Sequence, residues 1–155
     1  MQTIQTPITG QEPQTDPSLP YTALVQFYAA FNNRDLEMMQ LNWHQSDESA
    51  MDNPLGGIKR GWQEIRAVYE QIFTGPARVH VEFYDYTLHQ DGEIFYAVGR
   101  ERGHFARGEV KLDLAIRTTR IFRRIGPVWR QVHHHGSIED PELLRRYQAA
   151  VRGES

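Results

Sequence analysis

Apolar residues recur with helical spacing in the first half of the chain and with strand spacing in the second half. Tyr21, Leu24, Val25, Tyr28 and Phe31 follow the i, i+3, i+4, i+7 rule and predict an amphipathic helix, with Ser18 as its N-cap. A stripe of the same kind predicts a third helix that starts near Gly61. A short second helix capped by Asp35 and a last helix opened by Asp140-Pro141-Glu142 complete the predicted helices.

The segment from Arg78 to Ile138 has the composition and turn spacing of β structure. Asp91-Gly92 and two further glycine-containing turns divide it into four long strands, which predicts an antiparallel meander. The strands are expected over residues 78–89, 93–105, 109–124 and 128–138, after a short strand within 48–53. Helices on one side of an antiparallel sheet define the α+β class, and long strands must twist and curl. We therefore expect the helices to pack in the concave side of a curved, mostly antiparallel sheet.

The pattern gives one domain without internal repeats. Residues 1–17 are rich in Gln, Thr and Pro and predict a flexible or surface-draped tail. Residues 18–138 form the expected domain, and residues 139–155 a C-terminal helix and tail.

Composition excludes several classes of function. The 155 residues include no cysteine, which excludes a thiolate metal site and a cysteine nucleophile and fits an expected cytoplasmic location. A net charge of −3 argues against a nucleic-acid partner. No apolar run predicts a membrane span, and the first residues do not resemble a signal peptide. No glycine-rich phosphate loop is present, so no cofactor is expected.

Strand alternation predicts which polar groups face the cavity under the sheet. Arg120 shares a face with Leu112, Leu114 and Ile116, which should point inward. The same rule groups Arg100 with Ile94, Tyr96 and Val98 on the preceding strand, and His134 with Val132 and Gly136 on the last one. Two guanidinium groups near a cavity need negative partners. Either a protein carboxylate supplies them, with Asp47, Glu48 and Asp52 as candidates, or an anionic ligand does.

Several motifs resemble the NTF2-like superfamily and its SnoaL-like members. They are Asp35-Leu36-Glu37, Asp52-Asn53-Pro54-Leu55-Gly56, Thr119-Arg120-Ile121-Phe122 and residues 129–137 with the sequence WRQVHHHGS. The last two are also similar to the association domain of calcium/calmodulin-dependent protein kinase type two. The resemblance implies a cone-shaped fold with an internal pocket for a small molecule and a homodimer formed through the outer sheet face. It also matches Arg100 and Arg120 to pocket arginines of the association domain.

The resemblance does not extend to the chemistry of the steroid isomerases. The position of their catalytic base is occupied here by Asn53, which cannot take a proton. Their oxyanion tyrosine corresponds to Phe27, and its partner acid to Leu114, or to Asp113 if the register shifts by one.

Two hypotheses for the function remain. One is a small-molecule pocket, with any catalysis being that of a cofactor-independent lyase, isomerase or cyclase. The other is a non-catalytic oligomerisation or binding module.

Histidines and aromatic residues supply the remaining candidates. His133 and His135 share a strand face, but no third ligand stands at a recognisable spacing, so no metal site is expected. His134 should face the cavity, either as an acid or base or as a packed, hydrogen-bonded side chain. Tyr28 and Trp43 on the helical wall and Tyr96 on the sheet are candidate ligand contacts, although aromatic stripes more often form core.

Overall fold

A computed structural model describes residues 1–14 and 16–154; Thr15, in the predicted tail, and Ser155, at the C-terminus, lie outside the described residues. Within that part of the chain the structure contains four α-helices and six β-strands, which confirms the α+β class. The helices are α1 (Pro20–Asn32), α2 (Leu36–Asn42), α3 (Trp62–Thr74) and α4 (Pro141–Val151). The strands are β1 (Ala50–Asp52), β2 (Lys59–Arg60), β3 (Arg78–Asp91), β4 (Ile94–Arg107), β5 (Val110–Ile125) and β6 (Val128–Ser137).

All six strands form one sheet in the order β2-β1-β6-β5-β4-β3. The predicted meander from β3 to β6 is antiparallel throughout. The short strand β1 pairs with β6 in parallel, and it aligns Ala50 with His133, Met51 with His134 and Asp52 with His135. This parallel pair brings a segment from the helical half of the chain beside the three histidines.

N-cap side chains explain where two of the four described helices, α2 and α4, begin. The Asp35 carboxylate accepts a hydrogen bond from the Met38 backbone N–H at 3.0 Å, and Asp140 accepts one from Glu142 at 2.9 Å, as N-caps do. The prediction of Ser18 as an N-cap is wrong. Leu19 is the N-cap residue, and its apolar side chain makes no capping hydrogen bond. The Ser18 hydroxyl donates to the Asp16 carboxylate at 2.7 Å and not to the helix.

The core lies between the helices and the concave face of the sheet. The predicted inward face of β5 is confirmed, because Leu112, Leu114, Ile116 and Arg120 are all buried. The prediction for β4 is wrong: its inward residues are Phe95, Ala97, Glu101 and Phe105, whereas Tyr96 and Val98 are 40% and 43% exposed. Both faces of β4 carry apolar residues, and the face with two phenylalanines is buried, whereas the face with a single tyrosine is exposed.

The N-terminal segment packs against β3. Its Ile8 is fully buried, and it exchanges backbone hydrogen bonds with Phe83 at 2.8 and 2.9 Å. The Ile4 N–H donates to the Tyr86 carbonyl oxygen at 2.8 Å. Composition averages over the whole stretch and predicted a flexible or surface-draped tail, whereas the burial of Ile8 and the backbone hydrogen bonds of Ile4 and Ile8 hold this part of it on the sheet.

Candidate functional site

A cavity of about 380 Å³ lies between the concave face of the sheet and the helices α1, α3 and α4. This volume lies within the usual range for ligand pockets. Most of the wall is apolar, with Phe27, Val68, Phe105 and Leu114 among the lining residues. The exposed Lys59 also contributes to the wall, whereas Glu101, Arg120 and His134 contribute from positions that are at most 6% exposed. The cavity therefore extends from solvent to a buried polar end.

A buried ion pair forms that polar end. Arg120 Nη2 donates to Glu101 Oε2 at 2.9 Å, and the Tyr28 hydroxyl donates to the same oxygen at 2.5 Å. Arg120 Nε also approaches the Tyr28 hydroxyl oxygen at 3.3 Å. Burial by itself would lower the pKa of Arg120, but the nearby Tyr28 and Glu101 oxygens raise that pKa above its ordinary value. Arg120 thus remains a cation, and Glu101 neutralises it.

A chain of amides holds the Arg120 side chain in place. Its Nη1 donates to Gln131 Oε1 at 2.9 Å, and Gln131 Nε2 donates to Asn42 Oδ1 at 3.0 Å. Asn42 in turn donates to the Ala23 carbonyl oxygen at 2.9 Å, which links β5, β6, α2 and α1. The guanidinium carbon also lies 3.5 Å from the centre of the Phe27 ring, in cation–π geometry. Arg120 therefore stabilises the contact between the helices and the sheet.

Two groups at the buried end retain unused hydrogen-bonding capacity. The bonds that Glu101 receives from the described residues all go to Oε2, so Oε1 has no partner among them. Both ring nitrogens of His134 are buried without a hydrogen-bond partner in the same part of the chain. Burial, followed by the charge of Arg120, lowers the pKa of His134 well below its usual value, so the ring is neutral. The His134 nitrogens are fully enclosed, whereas Glu101 Oε1 is not among the enclosed unpartnered atoms, so Oε1 is the one of these groups that a ligand in the cavity could reach.

Residues 21–141 match the family model described as the SnoaL-like domain, which covers most of the chain. The chain belongs to the SnoaL-like domain family. Among curated proteins, no sequence is significantly similar to this SnoaL-like domain. None of the helices in residues 1–14 and 16–154 is long and apolar enough to cross a membrane.

Several solved structures share the fold of this SnoaL-like domain. A protein from Thiobacillus denitrificans, provisionally assigned as a calcium/calmodulin-dependent protein kinase type II association domain, is 28% identical with a TM-score of 0.65. That match covers 83% of this chain and 100% of the other. An NTF2-like protein from Streptomyces avermitilis, provisionally assigned as a dehydratase, is 21% identical with a TM-score of 0.70, covering 81% and 97%. An NTF2-like superfamily protein from Salmonella enterica is 18% identical with a TM-score of 0.67, covering 74% and 84%.

In this SnoaL-like domain the positions that correspond to isomerase catalytic groups line the cavity without the required chemistry. Asn53, Phe27 and Leu114 all contribute to the cavity wall. Asp113, the alternative partner acid, is exposed and alternates with the inward residues of β5. Asp52, next to Asn53, pairs with His135 and not with a cavity residue. The wall therefore offers no carboxylate at the position of the isomerase base.

The predicted site residues divide into three groups. Arg120, His134 and Asn53 line the cavity. Tyr28 and Trp43 are fully buried and are not among the lining residues; Tyr28 is linked to the cavity end through its hydrogen bonds with Glu101 and Arg120. The prediction that Arg100 and Tyr96 point inward is wrong. Arg100 is 44% exposed and pairs with Glu139 at 3.1 Å, while Tyr96 stacks on His89 with ring centres 4.5 Å apart. Both belong to the outward face of β4.

Sequence reasoning missed one carboxylate, Glu101, and assigned another, Asp52, to the wrong partner. The partner of Arg120 is Glu101 and none of the three acids considered, although a lone carboxylate on the Phe95–Phe105 face of β4 could have indicated it. The second is Asp52, whose Oδ2 lies 2.9 Å from His135 Nδ1. It is close to His133 as well, so the third donor that the spacing of the histidines did not predict is supplied by β1.

Proposed function

We propose that this domain binds a small, mainly apolar, electrically neutral organic molecule that carries a hydrogen-bond donor such as a hydroxyl group. The observation that carries the proposal is the unpartnered Oε1 of Glu101 at the buried end of an apolar cavity. A ligand hydroxyl can donate to that oxygen, while its apolar body contacts residues such as Val68 and Phe105.

The charges at the buried end favour a neutral ligand over an acid. The one guanidinium that lines the buried end, Arg120, is already neutralised by Glu101 at 2.9 Å. Arg100, which was expected to add a second positive charge, lies on the other side of the sheet. A ligand carboxylate at the buried end would therefore lie beside the Glu101 carboxylate, with Arg120 already paired. The other basic lining residues are the exposed Lys59 and Arg107, which donates to the Val151 carbonyl oxygen. We do not propose steroid isomerisation, since Asn53, Phe27 and Leu114 replace its catalytic groups.

A matched pair of probes tests the preference. We expect 2-naphthol to raise the melting temperature and 2-naphthoate, with the same ring system and a negative charge, to raise it less. A ligand at one hundred times its dissociation constant adds about 2.7 kcal/mol to stability, which is several degrees for a domain of this size. Isothermal titration calorimetry then supplies the two dissociation constants. Tighter binding of the naphthoate would contradict the proposal, as would no binding of either probe at its solubility limit.

A pair of variants places the bound probe. Val68→Phe enlarges a side chain on the cavity wall and should weaken 2-naphthol binding about tenfold or more, a loss of about 1.4 kcal/mol. Leu41→Phe makes a similar enlargement at a position that is 56% exposed and should leave binding unchanged. If both variants bind the probe like the parent chain, the ligand does not occupy this cavity.

We also propose that two copies associate through the outer face of the sheet. Tyr96 and Val98 expose apolar side chains there, with Ile121 beside Tyr96 on β5. Apolar side chains at the centre of a sheet face are typical of two-fold interfaces. The relative from Thiobacillus denitrificans, whose assignment is to an association domain, supports the same proposal.

Sedimentation velocity tests the association. The parent chain should sediment as a dimer at micromolar concentration. Val98→Lys, which buries a charge in the proposed interface, should raise the dimer dissociation constant by more than tenfold. Ile58→Lys, at a loop position that is 48% exposed, serves as the control and should remain dimeric. A monomeric parent chain at these concentrations would refute the proposal.

A further inference from the structure

We propose that Asp52, His133 and His135 bind one divalent transition-metal ion of the zinc class on the outer face of the sheet. One donor atom from each of these residues lies within 4.8 Å of the donor atoms of the other two. Two imidazoles and one carboxylate form a donor set that zinc sites use, with a fourth position left for water.

The strand register explains why these three residues meet. His133 and His135 are two positions apart on β6, so their side chains leave the same face of the strand. The parallel pairing of β1 with β6 aligns Asp52 with His135. Their neighbours Met51 and His134 point the other way and line the cavity. The cluster is therefore separated from the cavity by the thickness of the sheet, and its proposed role is independent of the cavity ligand.

The hydrogen bond of His133 prepares its ring for a metal. Its Nδ1 lies 2.9 Å from the Ala50 carbonyl oxygen. A carbonyl oxygen can only accept, so Nδ1 carries the proton, and Nε2 of the neutral ring carries the free electron pair. Histidines that bind metals commonly donate their second N–H to a backbone carbonyl in this manner, which fixes the orientation of the ring.

The pair of Asp52 and His135 needs only a small adjustment to chelate an ion. Asp52 Oδ2 and His135 Nδ1 are 2.9 Å apart. Two donors, each about 2.1 Å from a tetrahedral ion, are about 3.4 Å apart. The ion would displace the proton between Asp52 Oδ2 and His135 Nδ1, and by exchange with solvent Nε2 would take up one proton, so that the ring stays a neutral imidazole when it binds the ion. The His135 side chain is 58% exposed in the single chain, which leaves room there for an ion and a water ligand. His133 pairs with Ile121 of β5, so the cluster adjoins the surface proposed for the association of two copies.

Binding of zinc chloride to the untagged full chain, freed of metal by chelator, tests the proposal by calorimetry. We expect one ion per chain. Asp52→Asn and His135→Gln should each weaken binding by about tenfold or more. Cobalt chloride should give the intense visible absorption of a four-coordinate site, and the same variants should abolish that absorption. Circular dichroism should be unchanged, since both side chains lie outside the core.

The control is the double variant His80→Gln/His104→Gln. Those two rings stack across β3 and β4 with centres 5.4 Å apart, so they form a second pair of neighbouring histidines on the same sheet. This variant should bind zinc like the parent chain. The proposal is overturned if the control loses affinity as much as Asp52→Asn does, or if Asp52→Asn stays within twofold of the parent. Half an ion per chain would likewise overturn a site formed within one chain.

Discussion

Replacing Arg120 by methionine should lower the free energy of unfolding by about 3–5 kcal/mol, because it leaves the Glu101 carboxylate buried without its cation. The side chains of Arg120 and Glu101 are only 3% and 6% exposed, so solvent does not screen the unpaired charge. The substitution also removes the donor to Gln131 and the cation over the Phe27 ring. Urea denaturation at a fixed protein concentration measures the difference.

Two further variants show whether the loss comes from the unpaired charge. Arg117→Met removes an exposed arginine of the same strand, which pairs with Glu139 at 3.6 Å, and should cost at most about 1 kcal/mol. Adding Glu101→Leu to Arg120→Met should recover much of the lost stability, since apolar replacements of a buried pair are often tolerated. A loss for Arg120→Met as small as that for Arg117→Met would mean that water reaches the pair.

Gly103→Ala should also destabilise the protein, by about 2–3 kcal/mol, although it is a change of one methyl group. A Cβ atom at this position would lie 1.8 Å from the His80 carbonyl oxygen and 2.8 Å from the Val81 Cα. Both atoms belong to the backbone of β3, so relief requires β3 and β4 to separate. Alanine also reduces the conformational entropy of the unfolded chain, which by itself would stabilise the folded state by about 0.4–1 kcal/mol. This gain is too small to offset the clash.

The matched control for this glycine is Gly108→Asn in the turn between β4 and β5. Gly108 has a φ of +59°, and a Cβ atom added there would meet no other atom within 4 Å. Asparagine tolerates this backbone conformation. We expect a change of at most about 0.5 kcal/mol there. Thermal and urea denaturation should rank the two variants clearly. Equal stability of Gly103→Ala and the parent chain would show that β3 and β4 are further apart at Gly103 than the 1.8 Å approach implies.

Local rules predicted the four helices, β1 and the four long strands, but they missed the two-residue β2 and failed where tertiary packing decides. Turn residues marked the limits of the four long strands, and Asp35 and Asp140 marked helix starts, because a cap or a tight turn depends on nearby backbone only. The inward face of β5 followed from alternation because only one of its faces is apolar. On β4 both faces are apolar, so the same rule could not choose between Arg100 and Glu101.

The candidate site was predictable only in part for the same reason. Arg120 and His134 were placed from their own strands. Glu101 and Asp52 depend on which strands become neighbours, and the parallel pairing of β1 with β6 joins residues about eighty positions apart. The spacing of residues along the sequence does not predict such a long-range strand pairing. The position of the Asp52 carboxylate beside His133 and His135 is therefore visible only in the folded sheet.

The placement of the N-terminal segment has a consequence for the behaviour of the protein at high concentration. The outermost strand of a sheet carries unpaired backbone groups that can recruit a strand from another chain. Here the β3 side is partly occupied by the backbone around Ile4 and Ile8, and the opposite margin ends in the two-residue β2 with its exposed Lys59 and Arg60. Short, charged or covered margins are the features that resist amyloid-like stacking. Addition of a strand from another chain is thereby disfavoured at both margins of this sheet.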